Sequence, residues 1–203
     1  MDAQLVKLGS LTALPVMAND AEYGDELKKR IKPLFCGVGP VEAGVLVSKA
    51  LAELAASSSL PDIVLSLGSA GSNSLEQGAV YEVSQVSYRD MDASAFGFEK
   101  GQTPFLDVPP IVEIEKRIAG VPSASLSTGA NVVSGDAYAA IDADMVDMES
   151  WAVMRTTQVF GIGFLGLRGI SDGREPVSSI SDWTDYLHVV DENLAAALDK
   201  TNE

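Results

Sequence analysis

The stretch DMESWAVMRTTQVFGIGFLGLRGISDG, residues 147–173, reads as a helix that opens on one acid, followed by a strand that closes on another. Residues 146–160 have the pattern of an apolar helical run, and GIGFLGLRGI (161–170), apolar apart from Arg168, reads as a buried strand. A strand without polar alternation is one buried on both faces, which is the habit of parallel sheets covered by helices. Glu149 at the mouth of the helix and Asp172 just past the strand are left without a local structural reason.

Outward from this stretch the same alternation continues. LTALPVMA (11–18) reads as a buried strand that Pro15 bends or places near an edge. DAEYGDELKKRI is a short helix with early acids and late bases, as the helix dipole favours. KPLFCGVGP is a second apolar strand, and residues 41–57 form a packed helix. PDIVLSLGSAG is a strand from Ile63 to Leu67 that ends in a tight glycine turn, and residues 78–90 are β-rich. PPIVEIEKRIAG has the Pro start and Gly stop of a short helix. SASLSTGANVVSGDAY turns from a run of small residues into a loop, and DWTDYLHVVDENLAAALDK is an amphipathic helix. Strands alternating with helices give an α/β class with a mixed, largely parallel sheet covered on both faces. No repeat or linker divides the chain, so residues 1–203 are expected to form one domain.

Composition narrows the function. Fourteen basic against 29 acidic residues give a net charge of −15, which disfavours nucleic acid and anionic membranes as partners. A single cysteine, Cys36, excludes an internal disulfide and suits a reducing compartment. No apolar run reaches the roughly 18–20 residues that span a bilayer, and the N-terminus has no basic region followed by a long apolar core. A soluble cytoplasmic protein is expected. No His/Cys cluster suggests a metal, and no cofactor is expected.

Ligands of such a sheet gather outside the carboxyl ends of its strands. Glu22, Ser69, Glu149, Ser171 and Asp172 all fall there and converge on one pocket if the sheet is assembled this way. Each also has a structural reading. Glu22 suits a first helical turn, GSAG suits a strand-to-helix turn, and Glu149 suits a helix N-terminus. Ser171 and Asp172 suit a turn cap. His188 reads as an ordinary helix residue, and Arg168 as an internal ion-pair partner. The residue pattern alone stops at an α/β protein with an acidic pocket.

The segments GVGPVEAG, PDIVLSLGSAG, SAFG, GQTP, VSGDAY, VDMES and LRGISDG, in this order, resemble the purine nucleoside phosphorylase superfamily over roughly residues 36–190. Within it the pattern is most similar to the 5′-methylthioadenosine/S-adenosylhomocysteine nucleosidases. The resemblance implies a single-domain three-layer α/β/α sandwich, shortened at the N-terminus, where a β-hairpin between the first helix and FCGVG is missing. It implies that Asp172 protonates the leaving base and that Glu149 holds the ribose hydroxyls with Met148 against the sugar. Ser69 and Ser171 would position the attacking water and Asp172. Tyr138, in a slot usually taken by Phe, would stack on the base, with Ala139 offering its backbone to the base edge. Trp183 would close over the substrate. Phe96 and Pro104 would reach a neighbouring subunit's site in a homodimer, and Glu22 would activate the water. Phosphorolytic relatives carry Arg in the segments that correspond to LGSAGS and PVMANDAE, and here there is none. Arg89 and Arg174 are the nearest candidates and fit no phosphate motif, so hydrolysis is favoured over phosphorolysis. The alternatives are a phosphorylase, a nucleosidase for another purine nucleoside, or a nucleoside-binding relative without turnover.

Overall fold

A computed structural model describes residues 3–115, 118–173 and 183–202. Nine strands share one mixed sheet: β1 (Val6–Leu8), β2 (Leu11–Met17), β3 (Leu34–Phe35), β4 (Ile63–Gly71), β5 (Val80–Tyr88), β6 (Ile111–Glu113), β7 (Ser123–Thr128), β8 (Met145–Asp147) and β9 (Gly163–Asp172). The longest registers are parallel, β4 with β9 and β5 with β7. Antiparallel pairing joins β9 to β5 and β4 to β8, so β4, β9, β5, β7 and β8 close into a ring. The α-helices among the described residues include α1 (Asp25–Lys28), α2 (Pro40–Ala56), α3 (Ser150–Phe160) and α4 (Leu187–Asp199).

Alternation along β4 explains how the helices attach, because successive side chains leave opposite faces of a strand. Ile63, Leu65 and Leu67 join an apolar cluster with Leu27 of α1 and Val190, Leu194 and Leu198 of α4. Val64 and Ala70 join another, with Val47 and Leu51 of α2 and Val153 and Met154 of α3. Both faces of the strand are thereby removed from water, which is why it reads as a continuous apolar run. A remote cap fixes α1: both carboxylate oxygens of buried Asp191, on α4, accept from the backbone N–H groups of Glu26 and Leu27.

Several elements differ from their sequence reading. GSAG is the last part of β4, not a turn; pairing with β9 carries the strand through it, and its small residues leave room for side chains described below. The described residues of 109–120 do not form the expected helix: Ile111–Glu113 pair with β5 as β6, and only Val112 of the three is partly buried. The second strand shrinks to Leu34–Phe35. The helix expected over 146–160 begins at Ser150, because Met145–Asp147 pair with β7. Asp172 is the final residue of β9 rather than one beyond it. Pro15 is not on an open edge, but it falls between the β1 pairing, which ends at Ala13, and the β3 pairing, which begins at Val16. No strand lies between α1 and β3, in line with the missing hairpin. Among the described residues no helix is long and apolar enough to cross a membrane.

Candidate active site

The strand ends position the acids. In the β4–β9 pair the register slips once: Ala70 faces Ile170 and Gly71 faces Asp172, so Ser171 is the extra residue of a bulge. Bulges re-aim side chains, and here Ser171 turns fully inward and donates from Oγ to Asp172 Oδ1 at 2.5 Å. Gln77 Nε2 donates to the Ser171 carbonyl at 2.7 Å and holds the bulge from outside.

Glu22 ends a single 3-10 turn, Asp20–Glu22, capped by Asn19 through the N–H of Ala21. The turn exposes Asp20 and buries Glu22, which is 5% exposed. Glu22 Oε1 accepts from the backbone N–H of Ser69 at 2.7 Å and from its hydroxyl at 2.5 Å. Trp183 Nε1 donates to the same hydroxyl at 3.0 Å. Glu22 Oε2 is buried and has no partner among the described residues.

Glu149 stands between β8 and the first turn of α3, and its Oε1 accepts from the Gly39 N–H at 2.7 Å. Gly39 has φ +93°, a conformation that favours glycine, and Pro40 after it starts α2. Beneath this turn lies a buried ion pair, Arg168 Nη2 to Asp147 Oδ2 at 3.0 Å. Arg168 also donates to Ser66 and Ser150, and Asp147 accepts from Thr128 Oγ1 and the Ser150 N–H. The sequence reading of Arg168 as an internal ion-pair partner holds.

Sequence reasoning passed over Asp147, although an arginine in a buried strand demands an acid and VDMES supplies two. It also passed over Asn131, Val132 and Val133, which carry no chemical signature but form one wall of the site.

Ala18, Glu22, Val38, Ser69, Gly71, Met148, Glu149, Asp172 and Trp183 border one cavity of about 610 Å³. This is the size range of small-molecule sites. A second space of about 10 Å³, the size that admits one water, lies among Glu22, Ser69, Glu149 and Arg168. Burial raises the pKa of Glu22 and of Asp172, in each case against the opposing effect of a serine hydroxyl. Burial, helped by the charge of Asp147, lifts Glu149 to about 7.

Arg89 borders the cavity, but its guanidinium donates to the carbonyls of Ser127, Gly129, Asn131 and Asp147. It acts as a latch for the loop rather than a fork turned to a ligand. Arg174 lies outside the described residues. No group of three or more His, Cys, Asp or Glu side chains among the described residues is placed to hold a metal.

The remaining candidates sit elsewhere. Tyr138 is buried beside the cavity against Val133, Val146 and Ile141, and Ala139 next to it is exposed. Phe96 is 85% exposed and Pro104 partly buried, and neither borders the cavity of its own chain.

The profile of the Phosphorylase superfamily matches residues 26–201. A 5′-methylthioadenosine/S-adenosylhomocysteine nucleosidase of Haemophilus influenzae (strain PittEE) is 33% identical over 172 residues, 75% of this chain and 72% of the relative. Among solved structures, a nucleosidase of that name from Neisseria meningitidis, in complex with methylthio-immucillin-A, superposes with a TM-score of 0.76 at 20% identity, covering 93% of this chain and 97% of the other. Futalosine hydrolase of Helicobacter pylori strain 26695 also superposes at 0.76, with 17% identity over 93% of this chain and 96% of the other.

The raised pKa of Glu149 sets a pH dependence of stability. Below about 4.5 the carboxyl is protonated in both folded and unfolded chains. Between there and about 7 only the unfolded chain ionises, so unfolding releases a proton and stability falls as pH rises. Urea denaturation across this window is expected to show wild type losing on the order of 2–3 kcal/mol relative to Glu149→Gln. Parallel stability profiles for the two proteins would refute the shift.

Proposed function

The chain belongs to the Phosphorylase superfamily, and from that premise we infer that it is an N-ribosyl hydrolase. Its substrates are adenine nucleosides with a 5′ thioether, of the 5′-methylthioadenosine and S-adenosylhomocysteine type, and its products are adenine and a 5-thioribose. The observation that carries this reading is the set of three carboxyl groups of raised pKa around one cavity, with the neighbouring Arg89 spent on backbone carbonyls. The architecture is read as the three-layer α/β/α sandwich, supported by the two apolar clusters on either side of β4.

Cleaving an N-glycosidic bond leaves an oxocarbenium-like sugar and expels a poor anion unless the base is protonated. In glycoside hydrolysis one carboxyl supplies that proton while another activates water. Asp172 is the acid in this reading: burial raises its pKa, which favours the protonated form, and Ser171 fixes its orientation. Glu22 is the base. Ser69 pins one of its oxygens, and the other is left over beside the space that admits one water. Glu149, with one oxygen held by Gly39, keeps the second for ribose hydroxyls, and Met148 borders the same cavity beside the sugar. Trp183 bonds Ser69 and covers the cavity from the C-terminal side of the chain. A phosphorylase needs forked cationic donors for a dianion, and both terminal nitrogens of Arg89 are already spent on backbone carbonyls.

The site is completed by a second copy of the chain. Exposed large apolar side chains concentrate at Val38, Val41 and Val45 and at Phe96, Phe105 and Leu106; Phe105 is 95% exposed. Such surface marks an interaction face, and a partner's Phe96 and Pro104 would reach the cavity that Val38 borders. Tyr138 lies behind Val133 and Val146 of the cavity wall, and Ala139 next to it would offer its backbone to the base edge.

Asp172→Asn is expected to fold normally and lose about 10²–10⁴-fold in turnover; a folded variant with wild-type rate would remove Asp172 from the mechanism. Glu22→Gln should bind an adenosine analogue yet fail to hydrolyse substrate, while Asp20→Asn stays active; the reverse result would assign the water to Asp20. Sedimentation should give a homodimer, and a fully active monomer would contradict the shared site.

A further inference from the structure

Tyr138 carries a group that the reaction above does not use. The residue is 7% exposed, its ring is enclosed by aliphatic side chains, and its hydroxyl has no hydrogen-bond partner among the described residues. Buried hydroxyls are nearly always bonded, because an unmet one has given up water for nothing. This one lies against Gly71 at the wall of the cavity. A methyl group on Gly71 would overlap the hydroxyl and stand 3.0 Å from Asp172 Oδ2 and 3.3 Å from Val146 Cγ2. Gly71, Val146 and Asp172 all border the cavity. Since Ser171 occupies Asp172 Oδ1, Oδ2 is the oxygen left for the base, and the Tyr138 hydroxyl is its neighbour.

We propose that the Tyr138 hydroxyl is a specificity-determining contact to the leaving base, meeting the substituent beside the ring nitrogen that Asp172 protonates. The proposal rests on the reading of the cavity as an adenine-nucleoside site. A purine presents N7 and its 6-substituent side by side on one edge. With the Asp172 carboxyl on N7, a group adjacent to Oδ2 falls beside position 6. Burial, and then the charge of Asp172, raise the pKa of the phenol, so it stays neutral and can both accept and donate. Its oxygen accepts from the 6-amino group. Its proton turns to Asp172 Oδ2, which becomes a carboxylate as its own proton passes to N7 and the bond from the base to the sugar breaks. The hydroxyl thereby gains two partners only when a 6-aminopurine is in place. A site built for such a hydrogen bond discriminates against the analogue that lacks it.

The test compares wild type and Tyr138→Phe on two 5′-methylthio nucleosides, one of 6-aminopurine and one of purine unsubstituted at position 6. Phenylalanine keeps the buried ring, and a thermal melt checks the fold. The variant is expected to lose about tenfold in kcat/KM on the 6-amino substrate and clearly less on the unsubstituted one, where only the contact to Asp172 is removed. An equal change on both substrates, or no change on either, overturns the proposal and leaves the hydrolase reading standing. Failure of wild type to release base from either nucleoside overturns both.

Discussion

The ion pair between Arg168 and Asp147 is the constraint to which the rest of the site is tied. Both side chains are almost wholly buried at 3.0 Å, where the desolvation cost is large unless every donor and acceptor is met. They are met by Ser66 of β4, Thr128 of β7, and Ser150 at the start of α3. The pair therefore ties β4, β7 and β8 to β9 and to the start of α3. Removing one partner from such a pair costs about 3–5 kcal/mol, because the other charge is left bare. Glu149 lies two residues beyond Asp147, so the pair also decides where the Glu149 carboxyl can stand.

Around that anchor, burial does chemical work. Three carboxyls that would ionise near pH 4 in water are held at raised pKa by removal from solvent, and each has one oxygen pinned by a serine or a backbone N–H. The pinned oxygen sets direction, and the other remains for a ligand. The GSAG segment makes this geometry possible, because its small residues at the end of β4 admit Glu22, Tyr138 and Asp172 close to the strand.

Much of this was legible in the sequence. The apolar run of β9 and the helical spacing of α2 reflect burial on stated faces, and burial is what hydrophobic pattern records. Glu22, Ser69, Glu149 and Asp172 were placed together because strand ends in a parallel sheet share one rim. The edge strand β6 was misread as a helix, since its Pro start and Gly stop are local signals and its pairing with β5 is not. The GSAG strand end was misread for the same reason: glycine and serine report permissive backbone, not the β9 neighbour that holds it extended. The Gly39 N–H on Glu149 and the stranded Tyr138 hydroxyl come from contacts across long sequence separations, which no local pattern encodes.

The central claim is that water attacks the sugar after Asp172 protonates the base. The most direct measurement is product analysis of 5′-methylthioadenosine turnover in ¹⁸O-water, without phosphate and with phosphate in excess. The account predicts adenine and a free thiosugar with one ¹⁸O at the anomeric carbon, at a rate indifferent to phosphate. A sugar 1-phosphate without ¹⁸O at that carbon, formed only when phosphate is present, would contradict it.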